Sequence, residues 1–197
     1  LSKIPLLFSP GTAWNYSVAT DLCGYLVEVI SGQPFDDFLN ERIIEPLGMV
    51  DTAFNVPDEK LGRFAANYEP TDSGGITLED DPETSPYRKQ PDFLSGGGGM
   101  VSTAGDYYKF LEMLLNGGES NGKRYLSRKT IALMTQNHLP NGESLADRAV
   151  LGQWSEATFD GVGFGLGFSI LLDPAVSQIP GSPGQYAWGG AASTAFW

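Results

Sequence analysis

Apolar positions in the first half of the chain recur at the three- and four-residue spacing of amphipathic helices. The first predicted helix covers residues 18–31, with Ser17 as its N-cap and Gly32 as the glycine that stops it. Its apolar face consists of Val18, Leu22, Leu26 and Ile30. A second helix is predicted to begin at Pro34 and to stop before Pro46. Its buried stripe is predicted to consist of Phe35, Phe38, Leu39 and Ile43.

Two further helices are predicted in the middle of the chain, after a long stretch without a regular pattern. Residues 56–93 are rich in Pro, Gly, Asp and Glu and show no clean period, which predicts a long surface loop. Thr103 and Asp106 fit a capping box at the start of the next helix, which Gly117 ends. Ser127 opens another short helix.

The hydrophobic period changes in the last third of the chain. In residues 163–173 apolar side chains alternate with small ones, which predicts a strand with one buried face. Residues 186–197 form a second strand candidate, and the two are expected to pair as a hairpin. A mainly helical region over about residues 1–140, followed by strands over about 160–197, predicts an α+β or mixed α/β fold.

The ends of the sequence bear on domain organisation. The chain ends on Trp197 within the second predicted strand, and little precedes the first helix. Two strands alone do not form a stable sheet in water. We therefore expect these residues to be an interior part of a larger domain, which another segment or another chain completes.

Composition argues against several classes of partner. The formal net charge is −12 and the isoelectric point is about 4.3, so the protein would repel the phosphates of nucleic acid. No apolar run approaches the ~20 residues of a membrane-spanning helix. One cysteine and one histidine form neither a disulfide nor a Cys/His zinc site. We therefore expect no nucleic acid, membrane, metal or other cofactor. The sequence does not fix the compartment, and the cytoplasm is slightly favoured over the periplasm.

Four motif-like features are open to a structural interpretation. The glycines at 96–99 lack the Gly-Lys-Ser/Thr of a phosphate-binding loop, which favours a tight turn with close backbone contacts. His138 follows a predicted helix, where histidine usually caps the end or lies on the surface. Ser120 and Lys123 have the S-x-x-K spacing of a serine nucleophile and its lysine, but the glycines around them favour a turn. Alternate glycines from 161 to 167 leave room on a strand face, either for packing or for a ligand.

Two short motifs carry a family resemblance: NYS at residues 15–17 and YAWGG at residues 186–190. Together with the blocks at 8–54 and 95–127, in the same order, they resemble the β-lactamase-like serine hydrolases, and the family VIII carboxylesterases in particular. The resemblance implies the β-lactamase/penicillin-binding-protein fold. It also implies a serine hydrolase that cleaves carboxylic esters through an acyl-enzyme intermediate, without a cofactor.

The same resemblance implies the site residues. Tyr16 takes the place of the catalytic tyrosine, which helps the lysine activate the serine and then protonates the leaving alcohol. Trp188, Gly189 and Gly190 take the place of the strand motif. The backbone N–H of Ala191 is implied as one half of the oxyanion hole. The catalytic serine and lysine are expected ahead of this segment, so their positions are unknown and the isolated chain is expected to be inactive.

Two departures from the β-lactamase pattern bear on the substrate. Val18 stands where β-lactamases have an asparagine, and Trp188 stands where they have a lysine. The loss of both would weaken recognition of carboxylate-bearing lactams, and an aromatic wall suits neutral esters. A small-molecule ester is therefore the expected substrate. The alternatives are a β-lactamase or D-amino-acid peptidase, and a non-catalytic relative that binds or senses a ligand.

Overall fold

The computed structural model describes residues 3–150, 160–190, 192 and 194–197. The chain forms two compact units. One consists of Val18–Ser127 and the other of Leu1–Ser17 together with Arg128–Trp197. In the residues described, no helix is long and apolar enough to cross a membrane. Helices and antiparallel sheets are both present, which confirms the predicted mixed fold class.

The unit formed by Val18–Ser127 is mainly helical. Its helices are α1 (Ala19–Ser31), α2 (Phe35–Leu39), α3 (Glu45–Leu47) and α4 (Ala104–Leu115). It also contains two hairpins, formed by β1 (Asn67–Pro70) with β2 (Ile76–Asp80) and by β3 (Glu119–Ser120) with β4 (Lys123–Arg124). Short 3-10 turns occupy Asp58–Arg63 and Pro86–Arg88.

The limits of α1 agree with the sequence at one end only. Gly32 adopts a left-handed conformation and its N–H donates to the carbonyl of Glu28, which confirms the predicted stop. The predicted N-cap, Ser17, is wrong by one residue, because the first helical hydrogen bond runs from the N–H of Leu22 to the carbonyl of Val18. Gly24 is the buried residue of this helix. It faces Phe35 so closely that a Cβ at this position would lie 3.1 Å from the ring.

The second predicted helix does not stop before Pro46. A π-helical turn at Asn40–Ile44 follows α2 and shifts the hydrogen-bond register. Pro46 then lies in the first turn of α3, where its missing N–H is not needed. Within the predicted stripe Phe35 is buried, whereas Phe38, Leu39 and Ile43 are only half-buried.

The stretch predicted as a loop over 56–93 contains the β1–β2 hairpin and both 3-10 turns. Ile76 and Leu78 alternate with Thr77 and Glu79 in β2, but only Tyr68 continues this pattern in β1, and most residues of the two strands are exposed. For this reason the sequence pattern did not reveal the hairpin.

Asp106 is the buried carboxylate of this unit. Its Oδ2 accepts hydrogen bonds from the N–H of Asp51 at 2.6 Å and from the hydroxyl of Thr52 at 3.2 Å, and its Oδ1 pairs with Lys109 Nζ at 2.8 Å. Burial alone would raise the pKa of Asp106, but these hydrogen bonds outweigh it and leave the pKa below its ordinary value. Thr103 does cap α4 as predicted, but the Asp106 carboxylate binds these partners instead of completing the predicted capping box.

The second unit is built on a sheet of four strands in the order β5-β6-β7-β8, each antiparallel to its neighbour. The strands are β5 (Val162–Phe164), β6 (Ser169–Leu171), β7 (Tyr186–Gly189) and β8 (Ala195–Phe196). The helices are α5 (Arg128–Met134), α6 (Leu145–Arg148) and α7 (Pro174–Ser177). Leu145, Val162 and Leu171 form its buried core cluster.

The predicted number of strands is wrong, although the predicted pairing is confirmed. The single strand expected over 163–173 is the β5–β6 hairpin, which turns at Gly167, a residue with φ of 95°. The alternation continues through this turn, so periodicity alone could not show it. The expected pairing with the second candidate is seen between β6 and β7, where Ser169 lies opposite Ala187.

The glycines near β5 serve packing. A Cβ at Gly163 would lie 2.5 Å from the side chain of Asn137, and one at Gly165 would overlap the carbonyl oxygen of Met134. The Asn137 side chain uses this space to accept a hydrogen bond from the N–H of Phe164 at 3.1 Å. Close packing of the segment after α5 therefore explains these two glycines.

Candidate active site

Tyr16 and Trp188, the two side chains singled out in the sequence, lie against each other. Their rings are stacked, with centroids 5.8 Å apart and an interplanar angle of 6°. Trp14 and Phe164 complete an aromatic cluster of four rings. Phe164 meets Trp188 edge-on at 5.6 Å and Trp14 edge-on at 5.1 Å. A residue before the first helix and a residue on β7 are thus brought together in one unit.

The loop that carries Tyr16 is held by its backbone. The N–H of Trp14 donates to the carbonyl of Arg148 and its carbonyl accepts from the N–H of Val150, both at 2.9 Å. The amide of Asn15 donates to the carbonyl of Tyr16 at 2.9 Å. These bonds, together with the ring contacts of the aromatic cluster, fix the main chain on both sides of the phenol.

The Trp-Gly-Gly motif spans the end of β7 and the turn that follows. Gly189 pairs with Ala195 across the sheet. The N–H of Gly190 donates to the carbonyl of Thr194 at 2.8 Å, and a Cβ at Gly190 would overlap the Thr194 hydroxyl. The N–H of Gly190 is therefore used within the turn. Ala191, the implied oxyanion donor, lies outside the described residues.

A pocket of about 440 Å³ borders this motif. Trp188, Gly189 and Gly190 form one side of it, and Leu171 and Phe196 contribute apolar surface. A pocket of this kind accepts an apolar group and offers few polar contacts to it.

The other motif-like features have structural roles in the part of the chain that the structure describes. His138 Nε2 donates to the carbonyl of Leu133 at 2.7 Å, so the exposed imidazole caps the end of α5 as predicted. Ser120 and Lys123 are opposite each other in the β3–β4 hairpin, across a turn at Asn121 and Gly122 with positive φ. This S-x-x-K match is therefore a hairpin turn, as the surrounding glycines indicated.

The four-glycine run is a close backbone contact. A Cβ at Gly96 would overlap the carbonyl oxygen of Thr20. This confirms the interpretation as a tight turn with close backbone approach. Among the residues described, no three His, Cys, Asp or Glu side chains are placed to hold a metal ion.

Comparison with known proteins places this geometry in a family. The family model described as beta-lactamase matches residues 1–197. The chain belongs to the beta-lactamase family. This is a family of hydrolases with the β-lactamase/penicillin-binding-protein fold, and the relatives of this chain include named esterases and a named acyltransferase.

Three proteins illustrate what the chain is similar to. Protein Rv1367c of Mycobacterium tuberculosis is 34% identical over 197 residues, which are 98% of this chain and 47% of that protein. Esterase EstB of Burkholderia gladioli is 31% identical over 207 residues, covering 96% of this chain and 47% of EstB. The structure of EstCE1, a hydrolase with promiscuous acyltransferase activity, has a TM-score of 0.75 and 28% identity, and the match covers 96% of this chain and 49% of EstCE1. The chain spans about half the length of these relatives.

Two members of the aromatic cluster were not singled out as site residues in the sequence. Trp14 stands two positions before Tyr16, and Phe164 lies on β5. The apolar alternation marked Phe164 as an inward-facing residue of a strand. No pattern in the sequence indicated that the backbone of Trp14 would pair with residues 148–150, because such a contact joins distant parts of the chain.

Proposed function

We propose that the full-length protein hydrolyses carboxylic esters through an acyl-enzyme intermediate, with Tyr16 as its proton-transfer group. The observation that carries this proposal is the stacking of Tyr16 on Trp188 at 5.8 Å. A phenol held by a rigid loop against the strand motif is positioned for chemistry beside that strand. Membership of the beta-lactamase family and the similarity to EstB support the proposal.

In the proposed reaction a serine hydroxyl attacks the ester carbonyl and forms a new C–O bond. Tyr16 helps a lysine to remove the serine proton and then delivers a proton to the departing alkoxide. The negative charge on the carbonyl oxygen is stabilised by backbone N–H groups, one of them from Ala191. Water then attacks the acyl-enzyme and releases the carboxylic acid. The serine and the lysine are proposed to lie outside these 197 residues, since the S-x-x-K match at 120–123 is a hairpin turn.

The proposed substrate is a neutral ester with an apolar acyl group. Trp188 presents an indole where β-lactamases present a lysine, so the site lacks the cation that would pair with a lactam carboxylate. The bordering pocket of about 440 Å³ contributes mostly apolar surface for the acyl group. Both features favour ester hydrolysis over β-lactamase or D-amino-acid peptidase activity.

Acyl transfer to an alcohol is a second candidate. It follows from the same acyl-enzyme when an alcohol replaces water in the second step. The similarity to EstCE1, at a TM-score of 0.75, supports testing it. An added alcohol acceptor distinguishes the two outcomes, because transfer yields a new ester in place of the acid.

Labelling of the nucleophile tests the proposal. We expect a serine-directed phosphonate to label the full-length protein at one serine and to abolish turnover of p-nitrophenyl butyrate. The isolated 197-residue chain, treated in the same way, serves as the matched control and is expected to be neither labelled nor active. A full-length protein that is not labelled and shows no turnover would instead be a ligand-binding or sensor protein, and the enzyme proposal would be wrong.

A further inference from the structure

A second pocket, of about 290 Å³, lies in the unit formed by Val18–Ser127. Its wall includes residues that follow α3, the 3-10 turn at Asp58–Arg63, and the residues that precede α4. We call it the Arg63 pocket, and its lining residues include Asp51, Asn55, Lys60, Arg63, Phe64 and Val101. None of these residues belongs to the aromatic cluster or to the Trp-Gly-Gly motif.

The charges of the Arg63 pocket do not cancel. Lys60 Nζ lies 2.9 Å from Asp51 Oδ1, and Arg63 Nη2 lies 2.8 Å from Asp51 Oδ2. The hydrogen bonds from Arg63 and Lys60 lower the pKa of Asp51 to about 2, so its carboxylate stays ionised at neutral pH. One carboxylate of the lining therefore faces two cations of the lining, and the nearby Asp106 carboxylate, which also acts on Arg63, is itself paired with Lys109. A local excess of positive charge is unusual in a protein whose formal net charge is −12.

Arg63 retains unused hydrogen-bonding capacity. Among the described residues, the guanidinium of Arg63 makes one hydrogen bond, from its Nη2 to Asp51, and the Arg63 side chain is 63% exposed. The remaining N–H groups of a guanidinium form a planar fork that matches a carboxylate. Asn55 is another lining residue, and its side-chain amide has no hydrogen-bond partner in the part of the chain that the structure describes.

The lining also has an apolar part, next to the polar residues Ser102 and Thr103. Phe64 and Val101 line the pocket beside Arg63. The ring of Phe64 is held edge-on by Tyr87, with centroids 6.4 Å apart. The backbone of Val101 is fixed by two hydrogen bonds with Ala53, at 2.9 and 3.1 Å. A ligand at this position would meet cations and a preformed apolar surface together.

We propose that the Arg63 pocket binds a small monocarboxylate that carries a short apolar chain. The carboxylate pairs with the free edge of the Arg63 guanidinium, and the chain packs against Phe64 and Val101. The excess of a single positive charge balances a monoanion, whereas a dianion such as phosphate would stay partly uncompensated and would cost more to desolvate beside Phe64 and Val101. This site does not depend on the proposed ester hydrolysis.

Calorimetric titration of the full-length protein with hexanoate tests the proposal. We expect Arg63→Gln to weaken binding by about tenfold or more, since a charge-assisted hydrogen bond is lost. Arg63→Lys, which keeps the charge but not the fork, is expected to lose part of the affinity. The matched control is Arg42→Gln, because Arg42 is an exposed arginine paired with Glu41 elsewhere in the same unit. This control is expected to bind hexanoate with unchanged affinity.

Further ligands and one further variant distinguish the explanations. Hexanol and inorganic phosphate are expected to bind much more weakly than hexanoate. Trp188→Ala, which alters the proposed ester site, is expected to leave the hexanoate affinity unchanged. Undiminished binding by Arg63→Gln, equal binding of hexanol or phosphate, or a loss of binding in Trp188→Ala would overturn the proposal. Absence of any hexanoate binding would overturn it too, and would show that Asp51, Lys60 and Arg63 form a structural ion-pair network only.

Discussion

Replacement of Tyr16 by phenylalanine removes the phenolic O–H and keeps the ring, so it tests the contribution of the O–H alone. The ring of Tyr16 stacks on Trp188 at 5.8 Å and lies 6.4 Å from the ring of Trp14. Phenylalanine keeps both ring contacts, and an aromatic pair is worth about 0.5–1.5 kcal/mol beyond its buried area. The variant should therefore fold with its aromatic cluster in place and lack only the group that transfers protons.

The expected effect on catalysis is large. A positioned acid or base contributes about 10²- to 10⁴-fold to a rate, and 10²-fold corresponds to about 2.7 kcal/mol of barrier. We expect Tyr16→Phe to lower kcat for ethyl butyrate by at least about 100-fold. The decrease for p-nitrophenyl butyrate should be smaller, because nitrophenolate leaves without being protonated.

Steady-state kinetics of the full-length protein with both esters check this prediction. Tyr25→Phe is the matched control, because Tyr25 lies on α1 and is 57% exposed. Its kinetics should equal those of the unmodified protein. A near-normal kcat of Tyr16→Phe with ethyl butyrate would remove Tyr16 from the mechanism. An equal decrease with both esters would limit its role to activation of the serine.

Three other substitutions test the packing, the buried carboxylate and the specificity. Gly96→Ala places a Cβ on a backbone carbonyl oxygen, so we expect thermal unfolding to show a decrease of about 1–3 kcal/mol in the free energy of unfolding. The control is Gly98→Ala, whose new Cβ has no atom within 4 Å and should change this free energy by less than about 1 kcal/mol. Asp106→Asn should cost about 1.5–3 kcal/mol at pH 7, because the hydrogen bonds from Asp51 and Thr52 lose their charged acceptor and Lys109 loses its ionic partner. Folding lowers the pKa of Asp106, so its carboxylate stabilises the folded protein at pH values above the unfolded-state pKa of about 3.9. This stabilisation is lost as the pH falls through the lower pKa of the folded state. Denaturant titrations at a series of acid pH values should therefore show that the free energy of unfolding falls less steeply with pH in Asp106→Asn than in the unmodified protein. An equal slope in the two proteins would contradict this role. Trp188→Lys restores a cation beside Tyr16 and should shift binding from neutral esters toward carboxylate-bearing lactams, which competition assays measure; an unchanged preference would show that residue 188 does not set specificity.

Local signals in the sequence predicted several elements correctly. Gly32 ends α1 because a glycine adopts the left-handed conformation at low cost, and Thr103 caps α4 through its own hydroxyl. The turn at Asn121 and Gly122 also depends on neighbouring residues only. Features of this kind are decided within a few positions of the chain, so one sequence suffices to predict them.

Other features could not be predicted because they depend on contacts between distant residues. The alternation over 163–173 predicted one strand, but packing of the segment after α5 and a turn at Gly167 make it two. The π-helical turn that admits Pro46 into α3 has no signature in the sequence. The carboxylate of Asp106 fits a local capping box, yet the N–H of Asp51, 55 positions away, is its partner.

For the candidate site, the residue types can be taken from the sequence: a tyrosine in NYS, a Trp-Gly-Gly in a predicted strand, and the resemblance that links the two motifs. Only the folded chain shows that Tyr16 and Trp188 stack, and that Trp14 and Phe164 belong to the same cluster. It also shows that Lys60 and Arg63 share one carboxylate. A motif consists of residues that are neighbours in the sequence, whereas ring contacts and ion pairs form only when folding brings distant residues together.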